Sequence, residues 1–178
     1  MRMFFRLALL LLILPLGASL RAQDPSYRYQ GSIILGEGQQ REMTSTRMGY
    51  SFGMHGLYQA GTGEYFRPRA DITLYPEVTW ATVQTSGSNL ALGCDYIQYL
   101  PGSASVFVDG GLAMMVWSGT TANRPIPAGT GDTTRLAFNF GLGFKVNEIL
   151  TYEIRYTRSS LSKEFSTASV AFGFTVRI

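Results

Sequence analysis

Over most of this chain apolar and polar residues alternate one by one. Arg135–Val146 shows the pattern most plainly: Leu136, Phe138, Phe140, Leu142, Phe144 and Val146 fall on one phase, while Arg135, Ala137, Asn139, Gly141, Gly143 and Lys145 fall on the other. A period of two marks a strand whose faces meet different surroundings. The same alternation runs through 27–35, 48–58, 66–74, 89–97, 105–117 and 150–157, and through a last segment with Val170, Phe172, Phe174, Val176 and Ile178. No helical period of useful length lies between them. The pattern therefore predicts an all-β chain of eight antiparallel strands in an up-and-down meander. Pro68 cannot donate a ladder bond and is expected to mark a strand start or a bulge.

The connections alternate long and short, which puts all long ones at one end. The short ones carry turn chemistry, in "AGTGE" near Gly61, in Pro101-Gly102 and in Asn147-Glu148. The long ones, at 36–47, 75–88, 118–134 and 158–168, are polar with balanced charges, and read as loops.

The two phases differ in charge as well as polarity. The apolar phase of the eight segments carries no charged residue. The opposite phase holds Arg28, Arg67, Arg69, Asp71, Asp95, Asp109, Arg135, Lys145, Glu153, Arg155 and Arg177, interleaved mostly with Gly, Ala, Ser and Thr. A soluble barrel would show water many flexible Lys and Glu, yet Lys145 and Lys163 are the only lysines. Small residues among Arg and Asp suit a narrow lumen that side chains nearly fill. A charge on a lipid face costs roughly 2–4 kcal/mol at mid-membrane, which explains the empty column. The phases thus predict a transmembrane barrel with apolar residues outside.

Charged residues make up only 15% of the chain and the formal net charge is +3. Arg2 and Arg6 precede the apolar run Leu7–Leu20, and Leu20-Arg21-Ala22 follows, as in a secretory signal peptide cleaved after Ala22. The expected organisation is a signal peptide at 1–22 and a barrel domain at 23–178. Loss of Arg2, Arg6 and Arg21 makes basic and acidic residues equal in number, which removes the case for nucleic acid. Cys94, the single cysteine, permits no internal disulfide.

The chain closes on Gly173-Phe174-Thr175-Val176-Arg177-Ile178. This resembles the terminal signature of bacterial outer-membrane proteins, in which Gly173, Val176 and Ile178 would form the assembly signal. The family usually ends in Phe where this chain has Ile178. From signal peptide to last strand the chain resembles the small OmpA/OmpX-type, porin-like outer-membrane barrels. The resemblance implies an outer-membrane location, both termini in the periplasm, and contact with lipid and lipopolysaccharide. It also implies the barrel-assembly machinery as a partner during biogenesis. The implied function is non-enzymatic, supporting envelope integrity or surface interaction through the extracellular loops. The alternative is a narrow porin-like channel or a conduit for small solutes or small apolar molecules.

Candidate chemistry is sparse. The eleven lumen charges, seven basic and four acidic, allow either an anion-leaning path with a salt-bridge gate or a polar plug; buried charges need partners, and eight strands leave little bore, which favours the plug. His55, the only histidine, falls on the inward phase beside Ser51 and Gly53 and reads as a polar lumen residue. The His-x-Ser constellation of the barrel deacylases is absent from the sequence. No catalytic residue, cofactor or metal site is expected, because no His, Cys and carboxylate group has ligand spacing. Tyr27, Tyr29, Tyr58, Phe66, Trp80, Tyr96, Tyr99 and Tyr156 are candidates for aromatic girdles at the membrane interfaces.

Overall fold

In the computed structural model the described residues are 26–37, 47–80, 83–122, 133–160 and 166–177. They form β1 (Ser26–Glu37), β2 (Arg47–His55), β3 (Tyr58–Gly61), β4 (Glu64–Trp80), β5 (Val83–Tyr99), β6 (Val106–Ala122), β7 (Thr133–Lys145), β8 (Leu150–Ser160) and β9 (Ser166–Arg177). Every pairing is antiparallel. The sheet runs β2-β1-β9-β8-β7-β6-β5-β4-β3, and a β2–β4 pairing closes it. Because β2 and β3 follow one another along the same side of β4, the barrel has eight staves.

Pairing partners followed round the wall give the barrel its dimensions. From Val106 the row passes through Phe144, Tyr152, Phe174, Tyr29, Phe52, Ile72 and Leu90, and returns to β6 at Val116, ten residues on. Eight strands with that stagger tilt by about 41° and give a backbone radius of about 8 Å. Such a barrel is lined by side chains on every wall, so what fills it decides whether it is open.

The expected strand at 48–58 is interrupted. Gly56 and Leu57 leave the ladder between β2 and β3, and Pro68 sits opposite, inside β4 rather than at its start. The Pro68 carbonyl accepts from Gly56 N at 3.1 Å. Donor and acceptor of one strand residue point the same way, so the donor that proline lacks would have faced this break. Pro76 lies where the β4–β5 register shifts between Tyr75 and Val78, another place that spares a ladder bond.

The expected loop at 75–88 is mostly strand. β4 and β5 continue until Trp80 pairs with Val83, leaving residues 81 and 82 as their connection. β6 likewise continues to Ala122. These three strands have 17 residues each, about 42 Å of height at this tilt against an apolar band of about 25 Å. Above Leu74, β4 pairs with β5 alone, and from Ser118 onward β6 does the same, among the described residues. A three-stranded tab whose two edges pair with no other described strand therefore stands above the barrel at the long-connection end.

The opposite end is built from the short turns. Gly63 and Gly102 adopt positive φ (75° and 77°) in two of them. Asn147 Oδ1 accepts from Ile149 N and Leu150 N at 2.8 Å in the third. Ser26 pairs with Arg177, so the two ends of the described barrel meet here as well. The expected leader at 1–22 with its cleavage at Ala22, most of the three other long connections and Ile178 lie outside the described residues.

Outside, the apolar phase is exposed: Phe140 (59%), Leu112 (57%) and Phe172 (54%) would face water in a soluble protein. Their neighbours on the wall are also apolar, and the whole forms a belt for lipid. Tyr58, Phe66 and Tyr96 are paired neighbours near the turn end, with the Phe66 and Tyr96 rings 5.6 Å apart. Tyr99 is not part of a girdle. It lies on the inward phase, half-buried, with its ring 5.8 Å from Tyr65 and 5.4 Å from Phe107. The side chains of Trp80 and Trp117 lie outside the described set.

Candidate functional site: the charged bore

Inward positions on five strands bring eight charged side chains into one layer: Arg28, Arg67, Arg69, Asp71, Asp95, Asp109, Glu153 and Arg155, all buried. Asp95 is wholly buried and sits at the centre. It accepts from Arg67 Nη2 (2.9 Å) and Nε (3.1 Å), from Arg69 Nε (3.0 Å) and from Arg155 Nη2 (3.1 Å). Glu153 accepts from Arg67 Nη1 at 2.6 Å, with Arg155 Nη2 at 2.5 Å and Arg28 Nη2 at 3.7 Å. Arg69 also pairs with Asp71. Asp109 Oδ1 is 3.1 Å from Arg67 Nη2, though without hydrogen-bond geometry.

The layer holds four guanidiniums and four carboxylates. The three further cations expected in the lumen stand apart from it. Arg135 pairs with Met115, past Asn139 and Ala137 along β7. Lys145 and Arg177 lie at the mouth of the turn end, where Lys145 Nζ donates to Glu148 at 2.7 Å. The three cations by which the inward phase outnumbers its carboxylates therefore lie at the mouth and in the upper bore, and the central layer is neutral.

Glycines on neighbouring strands make room for these side chains. Gly53 lies between Asp71 and Arg28, Gly141 between Asp109 and Arg155, and Gly143 and Gly173 flank Glu153. A Cβ at Gly141 would come 2.5 Å from Asp109 Oδ2, and one at Gly53 or Gly111 would collide with Asp71 or Asp95. Real Cβ atoms do not approach so closely, so bulk at these positions is incompatible with charge across from it.

Above the layer, toward the long connections, Ala91, Ala113, Met115 and Ala137 form a small apolar cluster. Thr73 Oγ1 donates to Ser51 Oγ (3.1 Å) on the same level of the bore. Below it, Ile97, Tyr65, Tyr99 and Phe107 form an apolar floor. The sequence reading takes Tyr99 for a girdle residue and passes over Tyr65, Ile97 and Phe107; the signal for the floor is that 97, 99 and 107 continue the phase of Asp95 and Asp109. His55 is buried, and its Nδ1 lies 3.5 Å from Arg28 Nη2. The Ser51 hydroxyl is engaged with Thr73, so the described contacts assemble no nucleophile, base and acid around His55. Among the described residues no group of three His, Cys, Asp or Glu could hold a metal.

Not every polar atom is satisfied. Nε and Nη1 of both Arg28 and Arg155, both oxygens of Asp109, and side-chain atoms of Asn89 and Asn139 are buried without a hydrogen-bond partner. Such groups call for water.

No protein-family model matches the chain, and no curated protein matches it in sequence. Solved structures do resemble it. The outer-membrane enzyme PagL aligns with 86% of this chain and 99% of its own, at 13% identity and a TM-score of 0.63. Ail of Yersinia pestis, solved with the heparin analogue sucrose octasulfate, covers 88% and 98% at 13% identity and 0.58. Neisserial surface protein A covers 88% and 99% at 14% identity and 0.57. The chain has the fold of the small eight-stranded outer-membrane barrels, and its lipid-facing belt suits that membrane.

Proposed function

We propose that this chain is a non-enzymatic outer-membrane barrel whose bore is plugged and whose work is done at the cell surface and in the mechanical integrity of the envelope. The observation that carries this reading is the neutral layer of four guanidiniums and four carboxylates spanning a bore of about 8 Å backbone radius. An anion pore would need cations left uncompensated at its constriction, whereas here each arginine is committed to a carboxylate or to His55. The aromatic floor beneath adds a second obstruction. The tab of β4, β5 and β6 supports surface interaction, because two strand edges that pair with no other described strand, held clear of the membrane, are templates for pairing with an extended partner. Lipopolysaccharide against the belt and the barrel-assembly machinery acting on Gly173, Val176 and Ile178 belong to the same reading.

A narrow conduit is the second reading, favoured by the unpartnered buried atoms of Arg28, Arg155 and Asp109, which imply water inside the layer. The surface role is tested in cells lacking the chain and complemented with variants. Replacing residues 76–87 by a two-residue Asn-Gly turn should leave a folded barrel but abolish adhesion or aggregation conferred by the parent chain. His55→Gln should leave lipid A unaltered. Adhesion that survives loss of the tab would refute the surface role, and lipid A that changes with His55 would make the chain an enzyme.

A further inference from the structure

Beneath the charged layer the turn end of the bore holds a cavity of about 160 Å³. Its two sides are chemically different, and register explains why. One side is the apolar floor of Tyr65, Tyr99 and Phe107. The Phe107 ring lies over its paired neighbour Gly143 on β7, which has no Cβ to strike it. The other side is the row Lys145, Thr151 and Thr175, side by side on β7, β8 and β9, with Arg177 one inward position nearer the mouth. Small threonines facing large rings leave the space between them empty. Lys145 and Arg177 place positive charge at its rim, where Glu148 is the one acidic side chain among the described lining residues.

We infer that this cavity is a binding site for a small aromatic carboxylate entering from the turn end. The volume matches that of a buried cavity able to hold one benzene ring. A ring stacked on Tyr99 and Phe107 would put a carboxylate beside the Thr151 and Thr175 hydroxyls and within reach of the Lys145 ammonium. The carboxylate would then share or replace Glu148 as the acceptor from Lys145. A neutral ring would fill the same volume and gain nothing at the rim. A dicarboxylate or phosphate would be too polar for a floor of three aromatic rings. Because the cavity lies below the ion layer, binding needs no open bore, and the site stands independently of whether the barrel conducts.

The test uses the refolded barrel, residues 23–178, in lipid nanodiscs, with benzoate as the probe and saturation-transfer NMR as the readout. Empty nanodiscs report partition into lipid. Saturable binding is expected in barrel discs only, with benzyl alcohol at least about tenfold weaker, the factor a lost charge-assisted hydrogen bond produces. Lys145→Gln should weaken benzoate by a similar factor while leaving benzyl alcohol unchanged. Thr175→Phe, which fills the cavity from the polar wall, should abolish both signals. The heat-dependent gel shift verifies that each variant is folded, and Thr151→Phe serves should Thr175→Phe fail it. Equal affinity for benzoate and benzyl alcohol would overturn the assignment of an anion site. Equal signals with and without the barrel, or binding that survives cavity filling, would overturn the site altogether.

Discussion

Replacing Asp95 by alanine removes a wholly buried carboxylate that accepts hydrogen bonds from three guanidiniums at once. Removing one partner of a buried ion pair costs about 3–5 kcal/mol, because the other charge is left without compensation. Here no cation is wholly abandoned: Arg69 keeps Asp71, while Arg67 and Arg155 keep Glu153. The loss should therefore fall at the lower end, about 3 kcal/mol. Asp95→Asn keeps the volume and one acceptor oxygen, and should lose about 2 kcal/mol. Urea unfolding of the refolded barrel in phospholipid vesicles, followed by fluorescence and by gel mobility, measures both. The decisive comparison is the pair Asp95→Ala with Arg69→Met, which restores neutrality to the layer. If charge balance is what the layer supplies, the double variant should recover at least about 1 kcal/mol relative to the sum of the single losses. A loss below about 1 kcal/mol for Asp95→Ala, or strict additivity in the double variant, would refute the reasoning.

Further outcomes follow from the same geometry. Gly141→Val should destabilise the barrel by about 1–3 kcal/mol through collision with Asp109, and Asp109→Ala in the same chain should relieve part of that loss in the same unfolding assay. Leu142→Arg, on the belt, should cost about 2–4 kcal/mol in bilayers, whereas Gln59→Arg on the β3 rim should cost under about 1 kcal/mol. Unheated samples of the refolded chain should migrate differently from boiled ones on a detergent gel; identical mobility would count against a closed barrel. Limited proteolysis of intact cells should cut the long connections while sparing residues 100–105 and 146–149 of the short turns; the reverse pattern would invert the orientation.

Much of the wall was legible because lipid imposes a strict rule on one face. Leu136, Phe138, Phe140, Leu142 and Phe144 had to alternate with something, and an uncharged column through every strand has few explanations other than a bilayer. The rule ends where the lipid ends, and so did the reading. At 75–88 the strands rise above the belt, alternation is no longer demanded, and the polar composition looks like a loop although the ladder continues from Tyr75 to Val83. The break at Gly56 was hidden for another reason: Pro68 revealed an irregularity, but strand pairing decides which strand absorbs it. In the bore, the alternation places all eight clustered charges on one phase but carries no information about their grouping. Height along the barrel depends on the ten-residue stagger, which places Lys145 and Arg177 at the mouth and Arg135 above the layer. The same holds for Tyr99, because a tyrosine at a strand end suits an interface until its phase is fixed by Asp95.

The proposed closure of the bore is tested most directly by electrical recording across planar bilayers containing the refolded barrel, residues 23–178. A neutral, mutually paired ion layer above an aromatic floor predicts a silent membrane at moderate voltage and salt. Discrete conductance should emerge only when the layer is opened, as in a chain carrying Asp95→Ala, Arg67→Ala and Phe107→Ala together. A steady open-channel current from the unaltered chain, reproducible between preparations and absent from mock-refolded controls, would contradict the plug and make the barrel a pore.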